Sequence, residues 1–171
     1  AYEYFGAKVI FGNEEENCCG LPIVRNIPID EEESLKRIYK EKSFELPENF
    51  KKSIAWFLCA AALLRKRKYI RPVSMLIHTT PIQNYHFIIY ERVQQWLLHG
   101  TDIIEYCKVI YEEEINRVTV DDLKAANPNY GFLDEISTNY PSFNDLRDEI
   151  GGLLSDVRNI ELSDDKETEY G

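Results

Sequence analysis

A short run of basic residues is the most chemically distinctive stretch of this sequence. It comprises Arg65, Lys66, Arg67, Lys68 and Arg71. Lysine and arginine bind phosphate groups through charge-assisted hydrogen bonds, which makes such a run a candidate nucleic-acid contact. Between Lys51 and Tyr90 there is no Asp or Glu, which favours a phosphate-facing surface. The commoner explanation of such a run is a solvated helix end, where positive charge suits the helix dipole.

His78 is the second candidate for chemistry. It stands at the carboxyl end of the apolar run Val73–Thr79, which is typical of a buried strand. Ligands of open α/β sheets bind at that end of the strands. His86 lies eight residues later and could approach the same edge. A satisfied histidine at a strand end is the ordinary alternative, and two histidines without a carboxylate at ligand spacing do not indicate a metal.

Several catalytic motifs do not occur. The sequence contains no GxxxxGK[ST] or GxGxxG phosphate loop, no GxSxG and no HExxH. We therefore expect no nucleotide, metal or other cofactor to bind this chain by those routes. A metal-dependent nuclease centre would need carboxylates and a lysine on adjoining strands. The nearest fragment, Asp122-Leu123-Lys124, follows a capping pattern that predicts a helix, so no catalytic residue is assigned.

The elements that would position these residues are a helix, a strand and a helix. The first helix begins at Pro47 and carries apolar residues at helical spacing. The strand Val73–Thr79 follows, and a second helix extends from Tyr85 to Leu98 before Gly100. This order predicts a helix-rich α/β fold with a few parallel strands. Capping and periodicity predict four more helices and one more strand: Asp30–Lys40, Thr101–Asn116, Thr119–Ala126 and Ser142–Leu154 as helices, and Val157–Leu162 as the strand.

Charge is segregated along the 171 residues, whose formal net charge is −10. From Thr101 onward there are 18 acidic and six basic residues. The longest apolar run is too short to span a bilayer, which needs about 20 residues. The four cysteines, Cys18, Cys19, Cys59 and Cys107, form no Cys-x-x-Cys pair. We expect a reduced, cytoplasmic protein without a membrane span.

The central stretch resembles a known family, the Z-one (Z1) domain. The resemblance lies in Leu46-Pro47 with the alanine-rich helix, in Ser74-Met75-Leu76-Ile77-His78-Thr79-Thr80, and in His86 with its helix. Tyr4-Phe5-Gly6 and Phe11-Gly12 resemble an aromatic-glycine segment found upstream of that helix. Members of this family are described as endonuclease-like. They occur in bacterial proteins with a superfamily II helicase-like ATPase core and are associated with restriction-type defence against foreign DNA.

The resemblance implies that the chain is a middle fragment of a larger DNA-acting protein. Residues 1–45 would form an N-terminal arm and short helix, and residues 46–171 part of a second, RecA-like lobe. His78 and Thr80 would face the nucleic-acid backbone beside the basic run. ATP and magnesium would be bound by the intact protein, outside this chain. DNA and the remaining lobes are the implied partners.

Two further expectations concern association. A sheet cut short at the ends of a fragment exposes a strand edge, which predicts pairing with a second copy. In the alternative function, the chain is a non-enzymatic interaction module, whose acidic helical half docks a basic partner or the remaining lobes. The surplus of acidic residues after Thr101 is the feature that favours this alternative.

Overall fold

The computed structural model describes residues 27–41, 45–126 and 139–168. These residues form helices joined by turns and extended segments. The helices are α1 (Ile29–Glu41), α2 (Glu48–Lys66), α3 (Gln83–His99), α4 (Ile103–Glu114), α5 (Val120–Ala126) and α6 (Phe143–Thr168). The proposed aromatic arm near the start lies outside the described residues.

The chain divides into two compact units. One combines residues 1–26 with residues 112–141, and of its helices the structure describes α5 and the last turn of α4. The other combines residues 27–111 with residues 142–171 and contains α1, α2, α3, α6 and most of α4. All the predicted site residues belong to this second unit.

Helix α2 is the centre of the second unit because its apolar residues recur every three or four positions. Ile54, Ala55, Leu58, Cys59, Ala61 and Ala62 are all buried. Helix α2 packs against α6, whose buried residues Leu146, Ile150 and Leu154 have the same spacing. Helix α3 contacts both α1 and α6. Burial of each large aliphatic side chain contributes about 1.5–3 kcal/mol, so this shared apolar surface dominates the stability of the unit.

Capping chemistry fixes the starts of α5 and α6, as the sequence predicts. The Ser142 hydroxyl donates to the Asp145 carboxylate at 2.6 Å, and the Asp145 amide donates back to that hydroxyl at 3.3 Å. Thr119 and Asp122 repeat the exchange at 2.7 and 3.1 Å. Each pair satisfies amide groups at a helix start that have no partner within the helix. The predicted helix starts after Ser142 and Thr119 are confirmed.

The predicted α/β fold is wrong, and with it the RecA-like lobe. The described residues contain no strand and therefore no parallel sheet. Val73–Thr79 is not helical, but it pairs with no strand among the described residues, and most of its side chains are exposed. A strand exists only when a neighbouring strand satisfies its backbone. The apolar composition of this run was correct for a strand, but the described chain supplies no neighbour.

The second predicted strand, Val157–Leu162, lies inside α6. Val157 is half-buried and follows the buried Leu154 by three positions, which is the spacing of a helical face. The helix that the sequence predicts to end near Leu154 instead continues to Thr168, and it passes through Gly151 and Gly152 without a break. Glycine lowers helix stability by about 1 kcal/mol, which is less than the packing of the buried stripe contributes.

The structure also bears on the expected homodimer and on membrane-spanning helices. The homodimer was argued from an exposed sheet edge, and the described part of the chain has no sheet. Among the described residues, no helix is long and apolar enough to cross a membrane.

Candidate nucleic-acid interface

The basic cluster (Arg65, Lys66, Arg67, Lys68 and Arg71) lies at the carboxyl end of α2 and in the turn after it, and all five residues are exposed. Two residues of the basic cluster contact α6. Arg65 Nη2 lies 2.9 Å from Asp156 Oδ2, and Lys66 Nζ donates to the backbone carbonyl of Asp145 at 3.0 Å. The structure thus gives Arg65 and Lys66 a structural role that the sequence did not indicate.

A left-handed turn at Lys68 ends α2. Its φ angle is 59°, in a region that glycine adopts easily and lysine does not. The Lys68 amide donates to the Arg65 carbonyl at 2.8 Å, and the Tyr69 amide to the Leu64 carbonyl at 2.9 Å. This pair of hydrogen bonds is the Schellman motif of helix ends. The motif turns the chain away from the helix axis and leaves the side chains of Lys68 and Arg71 in solvent.

His78 and His86 lie together, as the sequence indicated, although not at a sheet edge. Their ring centroids are 5.4 Å apart and the rings are inclined by 54°. The Thr80 hydroxyl accepts the Ile82 amide at 3.2 Å, at the start of α3. Thr80 therefore supports a helix start that has no side-chain cap from Ile82 itself. No hydrogen bond or ring contact described for His78 or Thr80 connects them with the basic cluster.

The segment between these two groups is apolar and exposed. Ile70 is 95% exposed and Leu76 is 88% exposed. The other exposed apolar side chains here are Tyr69, Val73 and Met75. We call residues 69–76 the exposed segment. The sequence predicts a buried strand over Val73–Thr79, but an apolar run does not reveal whether the same chain covers it.

A cavity of about 340 Å³ lies where this segment passes over α2 and α6. Apolar residues form most of its wall: Phe57, Leu64, Tyr69, Ile70, Val73 and Leu153. Arg65 and Arg71 also line it. An apolar cavity with cations at its wall is suited to an apolar group that is attached to an anion.

The opposite end of α2 carries a polar group that sequence analysis missed. Lys51 Nζ lies 5.9 Å from the Trp96 ring centroid and 5.6 Å from that of Tyr106. It also pairs with Asp102 at 3.6 Å and Glu45 at 3.7 Å. The Lys51 side chain is only 12% exposed, so its charge is shared among the surrounding groups instead of facing a ligand. No local spacing signals this arrangement, because its members come from separate helices.

Hydrogen bonds complete this Lys51 cluster, which we define as Glu45, Glu48, Lys51, Trp96, Asp102 and Tyr106. Trp96 Nε1 donates to Asp102 Oδ1 at 2.9 Å, and the Tyr106 hydroxyl donates to Glu48 Oε2 at 2.5 Å. Burial, reinforced by the Glu48 hydrogen bond, raises the pKa of Tyr106 above its ordinary value. Tyr106 therefore remains a neutral donor, which suits a structural role.

Two cysteines are buried where α2 and α4 come together. Cys59 Sγ donates to the Cys107 carbonyl at 3.2 Å, and both thiols are free. The hydrogen bond with Cys59, together with burial, raises the pKa of Cys107. The thiolate is the nucleophile and metal ligand, so the Cys107 thiol is suited to packing and not to chemistry. Cys18 and Cys19 lie outside the described residues.

The described ranges bear on the carboxylate cluster that a metal-dependent nuclease would need. No group of three or more His, Cys, Asp or Glu side chains among them could hold a metal ion. Asp122 lies in helix α5, as predicted, and its carboxylate binds Thr119. Hydrogen bonds from the Thr119 hydroxyl and amide lower the pKa of Asp122. Its carboxylate therefore acts as a helix cap.

A family comparison decides what kind of domain this is. The family model of the Z1 domain matches residues 49–170, which includes nearly all of α2, the basic cluster, the exposed segment and all of α6. The chain belongs to the Z1 domain family. The match is wider than the resemblance seen in the sequence, which was clearest over residues 46–98. No curated protein and no solved structure matches this Z1 domain.

Proposed function

We propose that this Z1 domain is the scaffold and DNA-facing part of a DNA-acting, ATP-dependent helicase or translocase, or an endonuclease-like protein, of a restriction-type defence system. The observation that carries the proposal is the exposure of the basic cluster at the end of α2. It lies within a 40-residue stretch, 51–90, that has no acidic residue of its own. Phosphate contacts from such a surface supply affinity and orientation without reading sequence.

In this proposal the five residues of the basic cluster have two different roles. Arg65 and Lys66 fasten α2 to α6, whereas Arg67, Lys68 and Arg71 contribute charge toward phosphates. His78 and Thr80 would contribute hydrogen bonds from the far end of the exposed segment. ATP and magnesium would act in other parts of the intact protein, since this chain carries none of the common nucleotide-binding motifs.

The test is DNA binding as a function of salt. We would titrate the chain against a fluorescent duplex and a single strand of equal length, from low to physiological salt. The substituted protein is Arg67→Gln/Lys68→Gln/Arg71→Gln, which leaves both contacts with α6 in place. Each lost phosphate contact should reduce the slope of log affinity against log salt by about 0.7–0.9. We expect weaker binding and a shallower slope for the triple variant.

The matched control is Lys36→Gln/Lys40→Gln/Lys108→Gln, which removes the same charge from exposed positions on α1 and α4. This control should retain most of the binding. Equal losses of DNA affinity in the two triple variants would show that net charge, and not the position of the cations, determines binding. Absence of DNA binding at low salt would contradict the proposal. In the intact protein, ATP hydrolysis that ignores DNA would contradict it as well. The interaction module with an acidic docking half would then be the better explanation.

A further inference from the structure

The exposed segment has more apolar surface in solvent than its position requires. Ile70 and Leu76 are almost fully exposed, and Tyr69, Val73 and Met75 are each more than one third exposed. Scattered single apolar residues are normal on a protein surface, but contiguous ones mark places where another molecule binds. Five such residues occur within eight positions, and apart from the Tyr69 hydroxyl these side chains offer no donor to DNA phosphates.

The backbone of the exposed segment is paired at Tyr69, whose amide donates to Leu64, but beyond Tyr69 it has no partner among the described residues. Between Ile70 and Pro81, the structure describes no backbone hydrogen bond. Backbone amides and carbonyls that stay exposed can pair with a second extended polypeptide, which then adds affinity through main-chain hydrogen bonds. The segment therefore offers both apolar side chains and free main-chain groups along one stretch.

The cavity provides a place for an anchoring side chain. Its volume of about 340 Å³ is at the lower end of the range of pockets that hold small ligands, roughly 300–1,000 Å³. Phe57, Leu64 and Leu153 form part of its apolar wall. A single large apolar side chain would remove both this wall and the side chain itself from water.

Charge determines which polypeptide would fit. Arg65 and Arg71 line the cavity, Arg67 and Lys68 precede the exposed segment, and residues 51–90 contain no carboxylate. We propose that the exposed segment and the cavity form a docking site for an extended polypeptide that carries carboxylates beside large apolar side chains. Its apolar anchor occupies the cavity, and its carboxylates pair with Lys68 and Arg71.

The side chains favour a polypeptide over a nucleic acid on this part of the surface. Single strands bind through aromatic side chains on which bases stack. The large apolar side chains of the exposed segment, apart from Tyr69, carry no aromatic ring; they are Ile70, Val73, Met75 and Leu76. Aliphatic groups pack well against apolar side chains and offer no stacking surface.

The test is a selection from a random twelve-residue peptide display library on the immobilised full chain. Counter-selection uses the variant Ile70→Ser/Leu76→Ser, whose substituted positions are too exposed to support the fold. We expect the enriched peptides to combine Asp or Glu with a large apolar residue. Synthesised with a fluorescent label, they should bind the double variant at least about 10-fold more weakly, since two apolar contacts are lost.

The matched control is Ile29→Ser, which removes an apolar side chain that is 76% exposed on α1. It should leave peptide affinity unchanged. A second variant, Lys68→Gln/Arg71→Gln, should weaken binding several-fold and remove most of its salt dependence. Circular dichroism would verify that all variants keep the helical content of the parent.

Other outcomes would overturn the proposal. Enriched peptides without acidic residues, or peptides that bind Ile70→Ser/Leu76→Ser equally well, would exclude this site or this partner chemistry. Sedimentation that shows a dimer dissociated by the same substitutions would identify a second copy as the occupant. Oligothymidylate binding that is lost in Ile70→Ser/Leu76→Ser would identify a single strand. DNA binding measured with the cation variants is a separate readout, so the docking site can fail while the proposed function stands.

Discussion

The lysines at the two ends of α2 differ in their exposure to solvent and in the groups around them. At the amino end, Lys51 lies between two aromatic rings and two carboxylates, and its side chain is 12% exposed. At the carboxyl end, Lys68 stands in a left-handed turn with its side chain in solvent. One charge is compensated within the domain and the other is presented to the outside. The comparison shows that the sign and density of charge do not by themselves identify a functional surface.

The same contrast holds for apolar groups. Trp96 at the amino end is buried, and its indole N–H bonds Asp102. Ile70 and Leu76, beyond the carboxyl end, face water. A region whose polar and apolar groups are satisfied within the chain contributes stability. A region whose groups are left without partners is where binding is to be expected.

The largest effect should come from Trp96→Ala at the amino end. The substitution removes a buried indole, its hydrogen bond to Asp102 and one wall around Lys51. We expect the free energy of unfolding to fall by about 3–5 kcal/mol, measured by urea denaturation. DNA affinity per folded molecule should not change. If Trp96→Ala altered DNA binding at temperatures where the protein stays folded, the division between the two ends would be wrong.

Lys51→Met tests the cation in the same cluster. It keeps the aliphatic stem but removes two ion pairs and two cation–π contacts. We expect a loss of about 1–2 kcal/mol in the free energy of unfolding. The neighbouring Lys52→Met is the control, because Lys52 makes one partly exposed pair with Glu48, worth about 0.3–0.5 kcal/mol. If Lys51→Met and Lys52→Met lowered the free energy of unfolding equally, the rings and carboxylates around Lys51 would contribute nothing to stability.

Lys68→Gly should separate stability from binding at the carboxyl end. Glycine adopts the positive φ angle without steric conflict, so the free energy of unfolding should rise by about 1 kcal/mol. The same substitution removes a cation, so DNA affinity should fall. Arg67→Gly is the control: Arg67 has a φ angle of −80°, and its replacement should destabilise the helix end. A destabilised Lys68→Gly would contradict the strain assigned to Lys68.

Arg65→Gln tests the contact between α2 and α6. The Arg65–Asp156 pair is about half exposed on both sides, so solvent screens it and we expect a loss of about 0.2–1 kcal/mol. Denaturation of Arg65→Gln, Asp156→Asn and the double variant gives the coupling energy directly. Strict additivity of the two single losses would mean that the pair contributes no interaction energy.

The smallest effect concerns acid. Hydrogen bonds from the Ser142 hydroxyl and amide lower the pKa of Asp145 below its ordinary value of 3.8. Because the folded-state pKa is the lower one, the stabilisation is complete above pH 3.8 and is lost as the pH falls through the folded-state pKa. Asp145→Asn should flatten the acid limb of a plot of unfolding free energy against pH. An unchanged acid limb would show that this cap does not titrate with unfolding.

Local chemistry made much of the fold predictable. The reciprocal caps at Ser142 and Thr119 need only residues three positions apart, so their starts can be read directly from sequence. Gly100 was expected after α3 for its backbone freedom, but its φ angle is −63°. Glycine is needed there for space, because a Cβ would lie 2.5 Å from the Trp96 carbonyl oxygen.

What could not be predicted depends on contacts between distant residues. The run Val73–Thr79 has the composition of a strand, yet only a neighbouring strand would make it one. The basic cluster was correctly identified as exposed, but the engagement of Arg65 and Lys66 with α6 required knowing where α6 passes. The Lys51 cluster joins residues from α2, α3 and α4 with Glu45 and Asp102, and no periodicity in the sequence connects them.

The placement of the two tryptophans has a spectroscopic consequence. Trp56 on α2 is 49% exposed, whereas Trp96 is 8% exposed and hydrogen-bonded within the Lys51 cluster. A soluble quencher such as acrylamide should therefore quench the fluorescence of Trp56 first. The remaining emission, from Trp96, should have its maximum at a shorter wavelength. Replacing Trp56 with phenylalanine would leave Trp96, inside the cluster, as the single tryptophan of the sequence. Its emission would then report the opening of the amino end of α2 without any attached dye.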